Sequence, residues 1–328
     1  MDTFLQQIVN GLTLGSLYAI VALGYTMVYG IVQLINFAHG EVVMFGAMIT
    51  LSVISAASGS GLPPLAVVLL GVLAAIPSCM LLGYLLERVA YRPLRRAPRL
   101  APLITAIGMS IVLQQVAMMF WSRNVLAFPQ TLPMVIYNVA GASISALQIV
   151  IISLCFVMMG GLAFVVYRTR LGAAMRATAE NPDIARLMGV DVDRVIAATF
   201  VIGAGLAAVA GLMVGIYYGL AHYTMGATLG MKAFSAAVLG GIGNIPGAMV
   251  GGVVLGLVEA LGAGYIGDLT DLCHYKFFAA MLPENCREGG DFVLFGSNYQ
   301  DVFAFVVLIL VLVFRPSGLL GERVADRA

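Results

Sequence analysis

Long apolar runs broken by glycine, proline or charge dominate the chain: residues 11–35, 42–58, 65–87, 101–121, 146–167, 196–218, 230–244, 247–266 and 301–314. A helix needs about 20 residues to cross ~30 Å of hydrocarbon. Inside lipid the backbone polar groups must be paired within each segment, so helices are the form that such runs take. The pattern predicts an all-α polytopic membrane protein of about eight to ten transmembrane helices, some of them interrupted or re-entrant. A membrane barrel would show short strands of alternating polarity, which the pattern lacks. The breaks, at 58–64, 88–99, 123–145, 168–194 and 267–300, are too short for a separate folded domain, so residues 1–328 are expected to form one transmembrane domain.

Composition agrees, with 61% hydrophobic residues and 10% charged ones, against about 25% charged in soluble domains. The mean hydropathy is +1.00. A net charge of +1 gives no reason to expect nucleic acid as a partner, because the basic residues sit in short loops, where they set orientation in the bilayer. All of the 17 except Arg123, Lys232, Lys276 and Arg287 fall in 88–99, in 168–194 or after Phe314. The positive-inside rule therefore places those three stretches, and the carboxyl terminus, in the cytoplasm, and loop 267–300 on the outer side. Nine crossings put the amino terminus outside, and one re-entrant segment would change its side. Met1–Asn10 lacks the basic start and the cleavage site of a secretory signal, so a mature amino terminus is expected.

The polar stretch RTRLGAAMRATAENPDIARLMGVDVDRV, residues 168–195, carries the clearest local signal. Asn181 suits a helix N-cap, Pro182 the first helical position, Asp183 the positive helix start, and Gly189 a left-handed stop. A helix of about seven residues, ~10 Å long, follows. Ile184, Leu187 and Met188 share one of its faces, which must be covered by lipid, by the protein's own bundle or by a partner.

Interrupted segments recur in the two halves, INFAHGEVVMFGA at 35–47 and LGGIGNIPGAMVGG at 239–252, a weak repeat of the kind that points to a transport pathway. Gly211, Gly215 and Gly219, and the pairs Gly247 with Gly251 and Gly252 with Gly256, have the four-residue spacing that lets helix backbones approach closely. His39, Glu41, Lys232 and Glu259 are the ionisable residues in or beside apolar spans. A charge at a helix centre costs roughly 2.5–3.5 kcal/mol, so such groups face a cavity or a partner. Glu259 belongs either to a translocation path with Lys232, Asn244 and the backbone broken at Pro246, or to an internal pair with a hydroxyl or Lys232. Asn36, His39 and Glu41 mark a helix break, where capping, a hinge or substrate contact are the readings. One His and one Glu supply no metal ligand set. No HExxH, GxSxG or GxxxxGKS pattern is present, so the sequence predicts no catalytic residue. Cys273 and Cys286 share a polar loop on the predicted outer side, an oxidising compartment where either a disulfide or two free thiols fit.

Four motifs in order, INFAHGE at 35–41, AMRATAENPDIARLMGVDVDRV at 174–195, GGIGNIPGAMVGG at 240–252 and VFRPSGLLGERV at 313–324, resemble the permease family of branched-chain amino acid ABC importers, and more closely its shorter permease. The resemblance implies a transport subunit, not an enzyme, in the bacterial inner membrane. Such a subunit would bring leucine, isoleucine or valine inward together with a second homologous permease, two ATPase subunits and a periplasmic binding protein. ATP and Mg would sit on the ATPase subunits, leaving this chain without a cofactor. The cytoplasmic loop would dock into an ATPase cleft through Arg176, Glu180, Asn181, Pro182, Asp183, Arg186, Leu187 and Gly189, although it departs from the Glu-Ala-Ala loop of other importers. Relatives of this type also carry urea or short amides, and an ion-coupled secondary transporter is the rival class.

Overall fold

The computed structural model describes residues 2–59, 61–95, 97–98, 100–129, 135–139, 141–266 and 300–321. Seven helices among them are long and apolar enough to cross a membrane: α1 (Asp2–Val32), α2 (His39–Ala57), α3 (Pro64–Leu86), α4 (Leu100–Trp121), α5 (Ala146–Arg168), α8 (Val192–Tyr218) and α10 (Ile245–Leu261). Two shorter helices, α9 (Met225–Gly240) and the apolar α11 (Gln300–Phe314), join them, in line with the expected all-α membrane architecture.

Burial orders these helices from centre to rim. The most apolar window of α1 is 78% buried, whereas those of α4 and α5 are 17% buried, so α1 is the axis and α4 and α5 present most of their surface outward. Small residues make that central position possible. A Cβ built on Gly15 would lie 2.7 Å from Val253 Cα, and one on Gly252 would lie 2.7 Å from Ala19 Cα. Gly11 faces Leu257 and Gly30 faces Gly243, so α1 and α10 run antiparallel with backbones nearly touching. Gly211 closes in the same way on Val43 and Ala47 of α2, and Gly251 on Ala236 of α9. Gly219, grouped with Gly211 by spacing, instead ends α8 with φ +68°.

The structure departs from the sequence expectations at three places. Residues 123–145 carry short strands, not only loop: β1 (Leu126–Ala127), and a hairpin of β2 (Ile136–Val139) and β3 (Ala142–Ser145) turned at Gly141. β1 pairs antiparallel with β4 (Leu220–Ala221), Leu126 opposite Ala221, which satisfies backbone groups where α4 and α8 have ended. The span expected to run to residue 244 stops at Gly240, because Gly241 and Gly243 take φ of +101° and +98°, which a continuing helix does not allow. The stretch expected to hold one short helix holds two, α6 (Arg170–Glu180) and α7 (Pro182–Leu187).

Breaks inside the bundle matter more for function. After α1 the chain runs without regular structure to His39, which begins α2 beside Gly24, well before α1 ends. Gly40 in turn abuts Gly226 and Gly230 of α9. The starts of α2 and α9 thus meet inside the protein. Phe37, in the 33–38 break, packs its ring on Phe234 of α9, while Gly30, just before the break, lies against Gly243 in the 239–252 stretch.

Candidate functional site

At one end of the bundle, α5, α6, α7 and α8 form an elbow. Thr169 caps α6 by accepting from Gly172 N at 3.1 Å. α6 lays Gly172, Met175 and Thr178 against the bundle, and the Arg176 guanidinium turns back to the Val166 carbonyl, in a cation–π position over Tyr167. Asn181 then caps α7, its Oδ1 accepting from Asp183 N and Ile184 N, both at 3.0 Å. Gly189 has φ +87°, the left-handed stop expected of it. Asp183 pairs with Arg186 at 3.1 Å, and Glu180 and Pro182 stand exposed. Only Ala185 of α7 is buried, while Ile184, Leu187 and Met188 are 57%, 86% and 80% exposed. The apolar face of α7 therefore points away from its own bundle.

Beside α7 lies a cavity of about 720 Å³. Asp193, at the start of α8, binds Arg92 at 2.7 Å and Arg95 at 2.6 Å, and Arg95 also binds Glu87. Pro182, Asp183 and Arg186 form its other wall. Arg92, Arg95 and Asp193 were not singled out by the sequence motifs. Arg92 and Arg95 stand in a basic run, and Asp193 lies within the 174–195 motif.

Deeper in the bundle, Lys232 Nζ lies 2.7 Å from Glu259 Oε1 and 2.6 Å from Asp301 Oδ1. The Tyr18 hydroxyl donates to Glu259 Oε2 at 2.9 Å and accepts from Lys232 at 3.2 Å. Glu259 is thus paired with Lys232 and a hydroxyl at the edge of a cavity of about 290 Å³ bounded by Tyr18, Lys232 and Asp301. Tyr18 and Asp301 escaped the sequence reading, as an ordinary aromatic in a long span and an acid at a span edge. Asn244 is elsewhere. It caps α10, accepting from Gly247 N at 3.1 Å, and its Nδ2 donates to the Leu320 carbonyl at 2.8 Å, which ties the segment after α11 to the α9–α10 turn.

At the meeting of α2 and α9, Glu41 Oε1 accepts from Ser110 at 2.9 Å and from Gln114 at 2.8 Å, two residues one turn apart on α4. The His39 ring stands edge-on to Tyr25 with centroids 4.9 Å apart. Asn36 accepts from the Tyr91 hydroxyl at 2.7 Å, and its carbonyl accepts from His39 N at 3.0 Å. Asn36 therefore turns the chain into α2 through its backbone while its side chain anchors the segment after α3. Cys273 and Cys286 lie outside the described residues.

Residues 7–312 match the family model described as a branched-chain amino acid transport system permease component. The chain belongs to that permease family. The permease is 46% identical over 324 residues to the high-affinity branched-chain amino acid transport permease BraD of Pseudomonas aeruginosa, covering 97% of this chain and 96% of that one. It is 44% identical over 330 residues to LivH of Escherichia coli K12, with the same shares of each chain covered. A probable LivH of Methanocaldococcus jannaschii is 26% identical over 313 residues, 93% of this chain and 89% of that one. No solved structure matches the permease. Its family is one of transport components, so the permease is a membrane transport subunit and not an enzyme.

Proposed function

We propose that the permease is the membrane-spanning subunit of an ATP-binding-cassette importer that moves leucine, isoleucine and valine from periplasm to cytoplasm across the bacterial inner membrane. Its partners in this reading are a second, homologous permease, two ATPase subunits that bind ATP and Mg, and a periplasmic binding protein. The substrate follows the names of its 44–46% identical relatives. The end that carries α6, α7, Arg92, Arg95 and the segment after α11 faces the cytoplasm, in keeping with its basic residues.

One observation carries the coupling role: α7 is stiffened by a cap at Asn181 and yet exposes Leu187 and Met188 almost fully. Outward apolar groups on an ordered helix gain stability by docking, at roughly 25 cal/mol per Å² of apolar surface covered. Closure of an ATPase dimer onto α7 would push the elbow as a rigid body. α6 and α8 would carry that motion to the places where α2 and α9 begin. The free energy comes from nucleotide on the partner, so no residue of the permease needs to react. The test is affinity capture of co-expressed ATPase with tagged permease. The double variant Leu187→Asp with Met188→Asp is expected to lose about nine-tenths or more of the recovered ATPase, a change of ~1.4 kcal/mol, while still recovering the partner permease. Undiminished ATPase recovery would remove α7 from the interface.

A further inference from the structure

The small cavity beside Lys232 has a chemistry that the importer reading does not itself assign. One ammonium, that of Lys232, stands between two carboxyl groups whose surroundings differ. Glu259 is 2% exposed, with both oxygens engaged by Lys232 and Tyr18. Asp301 is 53% exposed and meets Lys232 from the cavity side. The Glu259 pair is the permanent one, since an ionisable group within an apolar span must keep its partner. Asp301 is the exchangeable one, because its half-exposed carboxylate keeps water as an alternative partner when it releases Lys232. Across the cavity, Val214, Leu220 and Leu229 supply an apolar wall. A volume of about 290 Å³ lies at the small end of the ~300–1,000 Å³ that ligand pockets span, so the occupant is a molecule of few heavy atoms.

We propose that this cavity binds one aliphatic α-amino acid as its zwitterion, the α-carboxylate on Lys232, the α-ammonium on Asp301 and the side chain against Leu229. Binding exchanges one ion pair for two: Asp301 releases Lys232 and takes the ligand ammonium, and Lys232 turns to the ligand carboxylate while it keeps Glu259. No charge is left unpaired at any stage. The rings of Tyr18 and Tyr218 wall the same space and favour a cation near their faces. The proposal rests on the importer reading for the class of cargo, but it is tested by equilibrium binding without turnover.

Thr228 lines the cavity and is exposed, so a Thr228→Cys variant reports occupancy through its rate of maleimide labelling, corrected for labelling of the unsubstituted chain. The measurement is made on the assembled complex, both nucleotide-free and ATP-trapped. Leucine at ~1 mM is expected to slow labelling about tenfold or more in at least one of these states. Leucinamide, which lacks the carboxylate, and 4-methylpentanoate, which lacks the ammonium, should protect about tenfold less well. Asp301→Asn should abolish protection by leucine, and Asp301→Glu should retain part of it. Labelling that is indifferent to leucine in both states, or equal protection by 4-methylpentanoate, would overturn the proposal and leave a purely structural ion cluster. Neither result would touch the ATPase-docking role of α7, which is read by capture.

Discussion

Glu259 is buried in the last turn of the apolar helix α10 because Lys232 and Tyr18 meet both of its oxygens, and Lys232 in turn holds Asp301. Removing one partner of a buried pair costs about 3–5 kcal/mol, since a charge is then left unpaired in a medium that cannot solvate it. Lys232→Met, which strands the buried Glu259 carboxylate, should therefore lower the thermal midpoint of the detergent-solubilised permease more than Glu259→Gln, which keeps one carbonyl acceptor for Lys232 and leaves Asp301 as its counter-ion. Equal midpoints would mean that the cluster is solvated. Glycines give a second contrast. Gly252→Val drives a side chain into Ala19 of α1, an overpacking worth about 1–3 kcal/mol. At Gly160, in α5, an added Cβ meets nothing within 4 Å, so Gly160→Ala should be neutral or stabilise by up to about 1 kcal/mol. Midpoints of both variants, measured side by side, check the α1–α10 contact. Lys232 and Glu259 were legible in the sequence as misplaced charges, but Asp301 was not, since an acid in the first turn of a helix needs no explanation until its partner is seen.

Among the elements, α7 was readable almost residue by residue because its signals are local: Asn181, Pro182, Asp183 and Gly189 act within a few positions of themselves. α6 was missed for a physical reason. Its inward face is Gly172, Met175 and Thr178, so only one large apolar side chain marks a face that is nonetheless buried. Asn181→Ala should cost about 1 kcal/mol in α7, enough to fray a helix of six residues. Measured as leucine uptake, it is expected to give a partial loss, well short of that from the Leu187→Asp with Met188→Asp pair, because the apolar contacts remain while their presentation loosens. The helix breaks were legible as breaks, but their pairing in space was not. Gly40 meets Gly226 and Gly230 through tertiary packing, which no local signal in 35–47 announces.

For the whole molecule, hydropathy told which segments are apolar but not which lie at the centre. α1 and α5 are both long and apolar, yet the first is the buried axis and the second faces outward. Glycines at the α1–α10 crossing decide this, and their effect depends on the partner helix. The arrangement joins an exposed short helix, α7, at one end, through α8 packed against α2, to the places inside the bundle where α2 and α9 begin. The central claim is that nucleotide-driven movement of α7 powers uptake. It is tested most directly in proteoliposomes that hold the permease with its partner permease, ATPase subunits and binding protein, by following labelled leucine with and without ATP. The account predicts uptake that requires ATP and falls about tenfold or more in the Leu187→Asp with Met188→Asp variant. Leucine uptake that proceeds without ATP, or that the variant leaves intact, would contradict it.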